Sequence, residues 1–138
     1  MTITEYFRAM TPTEAGLPSV GPSKRTLGAL PIETESADGT FGAGTGGMSV
    51  SPDSPWNVPH HRRPRWMGRG ACGPMQDGVF GIENEALHVA VLDARRDPNN
   101  PAAHAFVEPF TTMTYSEYTT ALASTQAAWR RLWPQDLA

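Results

Sequence analysis

Glycine and proline recur so often along this chain that short strands joined by turns, rather than a bundle of helices, are what it can build. There are 13 of each in 138 residues, about a fifth of the total and above ordinary usage. The densest cluster is Gly42-Ala43-Gly44-Thr45-Gly46-Gly47-Met48-Ser49-Val50. Four glycines in six residues lead into a short β-type run with a serine just inside it. Without a Cβ, such a turn reaches positive φ and brings its backbone close to a ligand. The Ser49 hydroxyl can then hydrogen-bond whatever binds there. The plainer reading is a surface loop before an edge strand.

The length predicts a single domain over residues 1–138. A chain near this size buries roughly 68–70% of its unfolded surface, enough for a real core. Net charge is −3, so no overall electrostatic attraction to nucleic acid or anionic membrane is expected. Cys72 is the only cysteine, which excludes an internal disulfide and argues against a cysteine-based metal site. No apolar run approaches the ~20 residues of a membrane span. The N-terminus carries Glu5 and has no apolar core of a secretory signal. The expectation is a protein that is cytoplasmic where it is made, with no membrane partner; export without a signal would leave no mark.

The hydrophobic pattern predicts an α+β or mainly β domain. Ile3 to Met10 reads as a first strand, with Phe7 and Ala9 on one face and Tyr6, Arg8 and Met10 on the other. Residues 11–40 read as loop with a short helix or two. Gly47 to Ser51 is a second strand, stopped by Pro52, and Val79 to Ile82 a third. Ala86 to Asp93 has the clearest alternation, Leu87, Val89 and Val91 against His88, Ala90 and Leu92, and predicts a strand. Arg95 to Pro101 is a turn-rich break. Ala103 to Glu108 is a further strand, ended by Pro109. A terminal amphipathic helix opens at Thr114, three residues before Glu117 in the spacing of a capping box. Its apolar steps run through Tyr118, Leu122, Trp129 and Leu132, with Arg130 and Arg131 in its last turn and Pro134 closing it.

Residues 52–77 are a long Pro-, Arg- and Trp-rich loop. It holds His60-His61, with Arg62, Arg63, Arg65 and Arg69 interleaved with Trp56 and Trp66. A loop of this length in a small domain is functional, mobile, or hides a short element. Cations beside stacking rings suit single-stranded nucleic acid, an acidic protein partner, or a cover over a nucleotide. The His-His pair has no carboxylate at a ligand spacing, so a metal site is rejected.

Arg8, mid-strand, is either a surface residue lying over apolar neighbours or a planar donor fork for phosphate or carboxylate. With Ser49 and the glycine turn it makes a pairing in which each part holds a different piece of one ligand. His104 can donate to a ribose or act as acid or base, or be a half-buried core histidine. Glu108 shares its strand face, and reads as a strand-end surface charge. Glu83 and Glu85 offer two carboxylates in i, i+2 spacing, or a solvated turn. There is no GxxxxGK[ST], GxGxxG in a βαβ setting, GxSxG or HExxH motif.

The ordered set Tyr6-Phe7-Arg8-Ala9, Thr45 to Val50, Asp77 to Ile82, His104 with Pro109 five residues on, and Trp129-Arg130-Arg131 resembles the small interbacterial effector toxins delivered by type VI secretion that have an ADP-ribosyltransferase-like fold. The resemblance implies a compact, mainly β split-sheet domain that takes NAD⁺ in a cleft and has a cognate immunity or antitoxin partner and a macromolecular target. It implies that Arg8 grips a phosphate or ribose, Ser49 supports the nicotinamide ribose, and the Gly46, Gly47 and Met48 backbone holds the nicotinamide amide. His104 matches a functional histidine on a later strand. Glu83, Glu85 and Glu108 compete for the catalytic glutamate, with Glu108 carried forward beside Arg8, Ser49 and His104.

Two other readings stand beside the NAD-dependent transferase or NAD-cleaving toxin. One is a non-enzymatic interaction module that docks through residues 56–69, since Trp and Arg are favoured interface anchors. The other is an RNA-binding domain using the same segment.

Overall fold

The computed structural model describes residues 3–137. Within it, β1 (Glu5–Met10), β2 (Met48–Pro52), β3 (Gly78–Glu83), β4 (Leu92–Arg96), β5 (Ala105–Pro109) and β6 (Arg130–Leu132) form one sheet. The spatial order is β4-β5-β2-β1-β3-β6, and each neighbouring pair is antiparallel. Two helices accompany it, α1 (Asn84–Val89) and α2 (Tyr115–Ser124). The domain is therefore α+β. No helix among the described residues is long and apolar enough to cross a membrane.

β1 lies inside the sheet and is buried on both faces. Tyr6 and Met10 enter the main core with Met48, Phe80 and the α2 residues Tyr118 and Leu122. Phe7 and Ala9 point the other way, into a smaller cluster with Val58, Met67, Val79 and Leu132. The alternation read from the sequence thus holds, with two cores in place of one core and solvent. The long segment between β2 and β3 covers the second face. It contains two 3-10 turns, Pro55–Asn57 and Arg65–Met67. Trp56 and Trp66 pack half-buried against the smaller cluster, and the Trp66 indole N–H donates to the Asp77 carbonyl at 2.8 Å.

The residues read as the clearest strand, Ala86 to Asp93, instead form α1 and the start of β4. Leu87 and Leu92 are buried in the core and Ala86 and Ala90 pack against it, whereas Val89 is 87% exposed. The physical reason is topological. β3 is flanked on both sides by β1 and β6, and the chain must cross to the far edge of the sheet to start β4. One turn of helix, built from Ala, Leu and Glu with good helix propensity, begins that crossing. The helix ends at Val89, and Val91, just ahead of β4, takes a left-handed φ of 61°. β4 in turn runs through Arg95 and Arg96, part of the segment read as a break.

The capping box of α2 forms as read. Thr114 Oγ1 accepts from the Glu117 N–H, and Glu117 Oε1 accepts from the Thr114 N–H. The helix stops ten residues in, however, well before Pro134. The Thr125 hydroxyl donates to the Leu122 carbonyl and accepts the Trp129 indole N–H, which turns the chain out of the helix. Residues Arg130–Leu132 then pair with β3. Trp129 and Leu132 are buried, as their spacing suggested, but from extended backbone, because the open edge of β3 offers ladder hydrogen bonds that a longer helix would leave unmade.

Candidate functional site

Where β1 and β2 meet, their pairing lasts only two residues, Tyr6 opposite Pro52 and Phe7 opposite Ser51. Beyond that the strands part, and Arg8 fills the fork. Its Nη1 donates to the Ser49 carbonyl at 2.7 Å, standing in for a strand-to-strand bond. Nε and Nη2 donate to the Thr26 carbonyl, and Nη2 also reaches the Ser23 carbonyl. Arg8 is 7% exposed. Among the described residues it makes no ion pair. A guanidinium carries five N–H groups, so among the described residues one Nη1 N–H has no acceptor. Burial lowers the Arg8 pKa to about 10, with Glu33 acting to raise it. It still carries its charge at neutral pH.

Arg8 opens on a cleft of about 220 Å³ that Ser49, Ser51, His104, Glu33, Lys24, His61 and Arg62 also line. Arg62 donates to the Lys24 carbonyl and so ties the 52–77 segment to the Lys24 loop at the cleft wall. The volume is below the roughly 300–1,000 Å³ of pockets for drug-sized ligands. A cleft of this size encloses a small ligand or one part of a larger one. Arg8, Lys24 and Arg62 supply positive charge, and Glu33 is the carboxylate of the lining. Its Oε1 accepts from the Leu30 N–H at 2.8 Å, which holds it at the start of a 3-10 turn.

Ser49 and His104 are joined directly. His104 Nε2 lies 3.0 Å from Ser49 Oγ. On the other side of the ring, Nδ1 lies 2.8 Å from Asp97 Oδ2. The strands explain the alignment. β4 and β5 pair with Arg96 opposite Ala105, and β5 and β2 with Ala105 opposite Val50. Residues at one end of three adjacent strands thereby meet on one sheet face. The His104 hydrogen bond, then a backbone N–H from Asn99, holds the Asp97 carboxyl below its ordinary pKa.

Three of the residues singled out from sequence, Arg8, Ser49 and His104, therefore converge. Glu108 does not join them. It is 4% exposed, accepts from the Gly44 and Gly46 N–H groups at 3.1 and 2.8 Å, and pairs with Arg95 at 2.9 Å. A carboxylate so neutralised anchors the glycine turn and is no free base. The Gly46-to-Met48 backbone is likewise committed within the protein. The Met48 N–H donates to the Tyr118 hydroxyl at 2.9 Å, and that hydroxyl donates to the Val107 carbonyl. A Cβ at Gly47 would lie 2.3 Å from the Val107 carbonyl oxygen, and one at Gly46 2.8 Å from that of Glu33. The close approach predicted for these glycines is real, but it is to the chain's own backbone, and it seats the Glu33 segment beside the cleft. Glu83 and Glu85 are exposed, at the end of β3 and in α1, outside the cleft lining.

Glu33 and Asp97 escaped the sequence reading. Glu33 lies in a polar, motif-free stretch. Asp97 had one signal, the Asp97-Pro98-Asn99-Asn100 turn placed just ahead of the His104 strand. Comparison of the chain with protein-family models, with curated proteins and with solved structures finds no match.

Proposed function

We propose that the cleft takes NAD⁺ as substrate and that the chain is an NAD-dependent toxin, which transfers ADP-ribose to a target or hydrolyses NAD⁺ and is neutralised by a cognate immunity protein. The observation that carries this reading is a buried guanidinium that makes no ion pair among the described residues and has one unused donor, sharing a cleft with a serine hydroxyl and a histidine. That donor set asks for an anion bearing hydroxyls, as a nucleotide is. The parting of β1 from β2 also fits the split sheet of the ADP-ribosyltransferase-like fold that the sequence resembles. In this reading Arg8, Lys24 and Arg62 hold the pyrophosphate and Ser49 holds a hydroxyl of the nicotinamide ribose. Glu33 takes the role first considered for Glu108. Its carboxylate stabilises positive charge on the ribose as the bond to nicotinamide breaks and the bonding pair leaves with the base. Water or a target side chain completes the substitution.

Expression in a susceptible cytosol is expected to arrest growth, and the purified protein to release nicotinamide from NAD⁺. Ser49→Ala and Glu33→Gln keep the backbone contacts, since the first leaves the Ser49 carbonyl and the second retains an acceptor for Leu30. Each is expected to lower nicotinamide release more than tenfold, about 1.4 kcal/mol or more at the transition state, and to relieve arrest with the circular dichroism spectrum unchanged. A harmless wild-type protein that binds no NAD⁺ by calorimetry would sink the proposal.

A further inference from the structure

We infer that Asp97 is a positioning residue that sets the tautomer of His104, and through it presents Ser49 Oγ to the cleft as a hydrogen-bond acceptor for a ligand hydroxyl. The two oxygens of Asp97 are held apart in role. Oδ1 accepts from the Asn99 N–H at 2.9 Å and closes the β4–β5 turn. Oδ2 faces His104 Nδ1 at 2.8 Å. The turn bond therefore decides which oxygen remains for the ring. The Asp97 N–H donates to the His104 carbonyl at 2.9 Å, so the two backbones are locked in register as well.

An ionised carboxylate only accepts, so Nδ1 must carry the proton that lies between Asp97 and the ring. In the neutral imidazole Nε2 is then an acceptor. It takes the Ser49 O–H, at 3.0 Å, and Ser49 Oγ turns its lone pairs elsewhere. Ser49 lines the cleft, and its backbone is pinned by Arg8 through the carbonyl. The consequence is a polarity. Ser49 accepts from a ligand O–H, next to a guanidinium that donates to a ligand anion. A reversed tautomer would put a donor on Nε2 and make Ser49 a donor to the ligand instead. The identity of the hydroxyl as a ribose hydroxyl rests on the NAD⁺ reading; the relay does not.

Asp97→Asn separates this role from turn-making. The Asn99 N–H still needs an oxygen, so the amide presents its NH₂ to Nδ1 and makes that nitrogen an acceptor. The turn survives while the ring must flip to the Nε2–H tautomer. Long-range proton–nitrogen spectra of ¹⁵N-labelled protein are recorded above the histidine titration range, with His104→Asn assigning the ring among four histidines. The expected result is Nδ1–H in the wild type and Nε2–H in Asp97→Asn. An Nε2–H ring in the wild type, or no change in the variant, overturns the proposal. Calorimetry with NAD⁺ and with an analogue lacking the nicotinamide-ribose hydroxyls gives the second readout. The wild type is expected to prefer NAD⁺ by roughly threefold to tenfold. Ser49→Ala is expected to lose that preference, and a preference that persists in Ser49→Ala overturns the proposal; for Asp97→Asn the nitrogen spectra decide, because a ligand hydroxyl accepts as well as donates. If the wild type binds neither ligand, the NAD⁺ reading alone falls, and the nitrogen spectra still decide the relay.

Discussion

Arg8 is held where two strands separate, and its guanidinium replaces the ladder bonds that the fork has lost. Removing it orphans acceptors on Ser23, Thr26 and Ser49 together. Arg8→Ala is expected to lower stability by about 3 kcal/mol, read from urea unfolding, so its loss of activity alone would not separate structure from binding. Arg8→Lys keeps a charge but not a fork, and is expected to recover part of the stability. Asp97 gives a pH test. Its folded pKa is lowered from the ordinary 3.8, so its contribution is complete above that value and lost as pH falls through the lower folded one. Below about pH 4 the wild type should lose stability along a limb that Asp97→Asn lacks. At this scale Arg8, Ser49 and His104 were legible because a polar residue inside a strand pattern stands out against apolar neighbours. Glu33 and Asp97 were not, because they sit in turns, where polar residues are ordinary.

Elements follow local pattern only where tertiary pairing agrees with it. The α2 start was legible because a capping box is a local hydrogen-bond exchange. Its end was not, because Thr125 and the unpaired edge of β3 decide it, and neither is local. The same holds for α1, where alternation of Leu87, Val89 and Val91 pointed to a strand that the crossing between sheet edges does not allow. Val91 carries the strain of that crossing. A β-branched residue at a φ of 61° costs about 1–2 kcal/mol, and its side chain is 44% exposed, so little packing depends on it. Val91→Gly is expected to raise stability by about 0.5–1 kcal/mol after glycine's unfolded-state entropy is set against the relieved strain. An unchanged or lower unfolding midpoint would refute it.

For the whole molecule, the segment at 52–77, read from sequence as a candidate docking arm, covers the second face of the sheet. Trp56 and Trp66 pack on Phe7 and its neighbours, and Arg63 and Arg69 lie over the Trp56 ring at 5.6 and 4.5 Å. Trp56→Ala is therefore expected to destabilise the fold by about 2 kcal/mol, less than for a fully buried ring. Unchanged stability in urea, with loss of a binding partner, would favour the docking reading instead. The cover also carries His61 and Arg62 to the cleft, so stability of the second face and shape of the site are coupled.

The sequence by itself determined the class of domain, most of its strands, the capped start of α2, and three polar residues worth following. Those follow from turn chemistry, side-chain alternation and local capping, all of which act over a few residues. Only the tertiary structure decided that Arg8, Ser49 and His104 meet, that Glu108 is neutralised by Arg95 and two glycine N–H groups, that Glu33 lines the same cleft, and that Asp97 holds His104. Strand order and register set those meetings between residues far apart in the chain, 55 positions for Ser49 and His104 and 64 for Gly44 and Glu108, and no local pattern encodes which edge a strand will take.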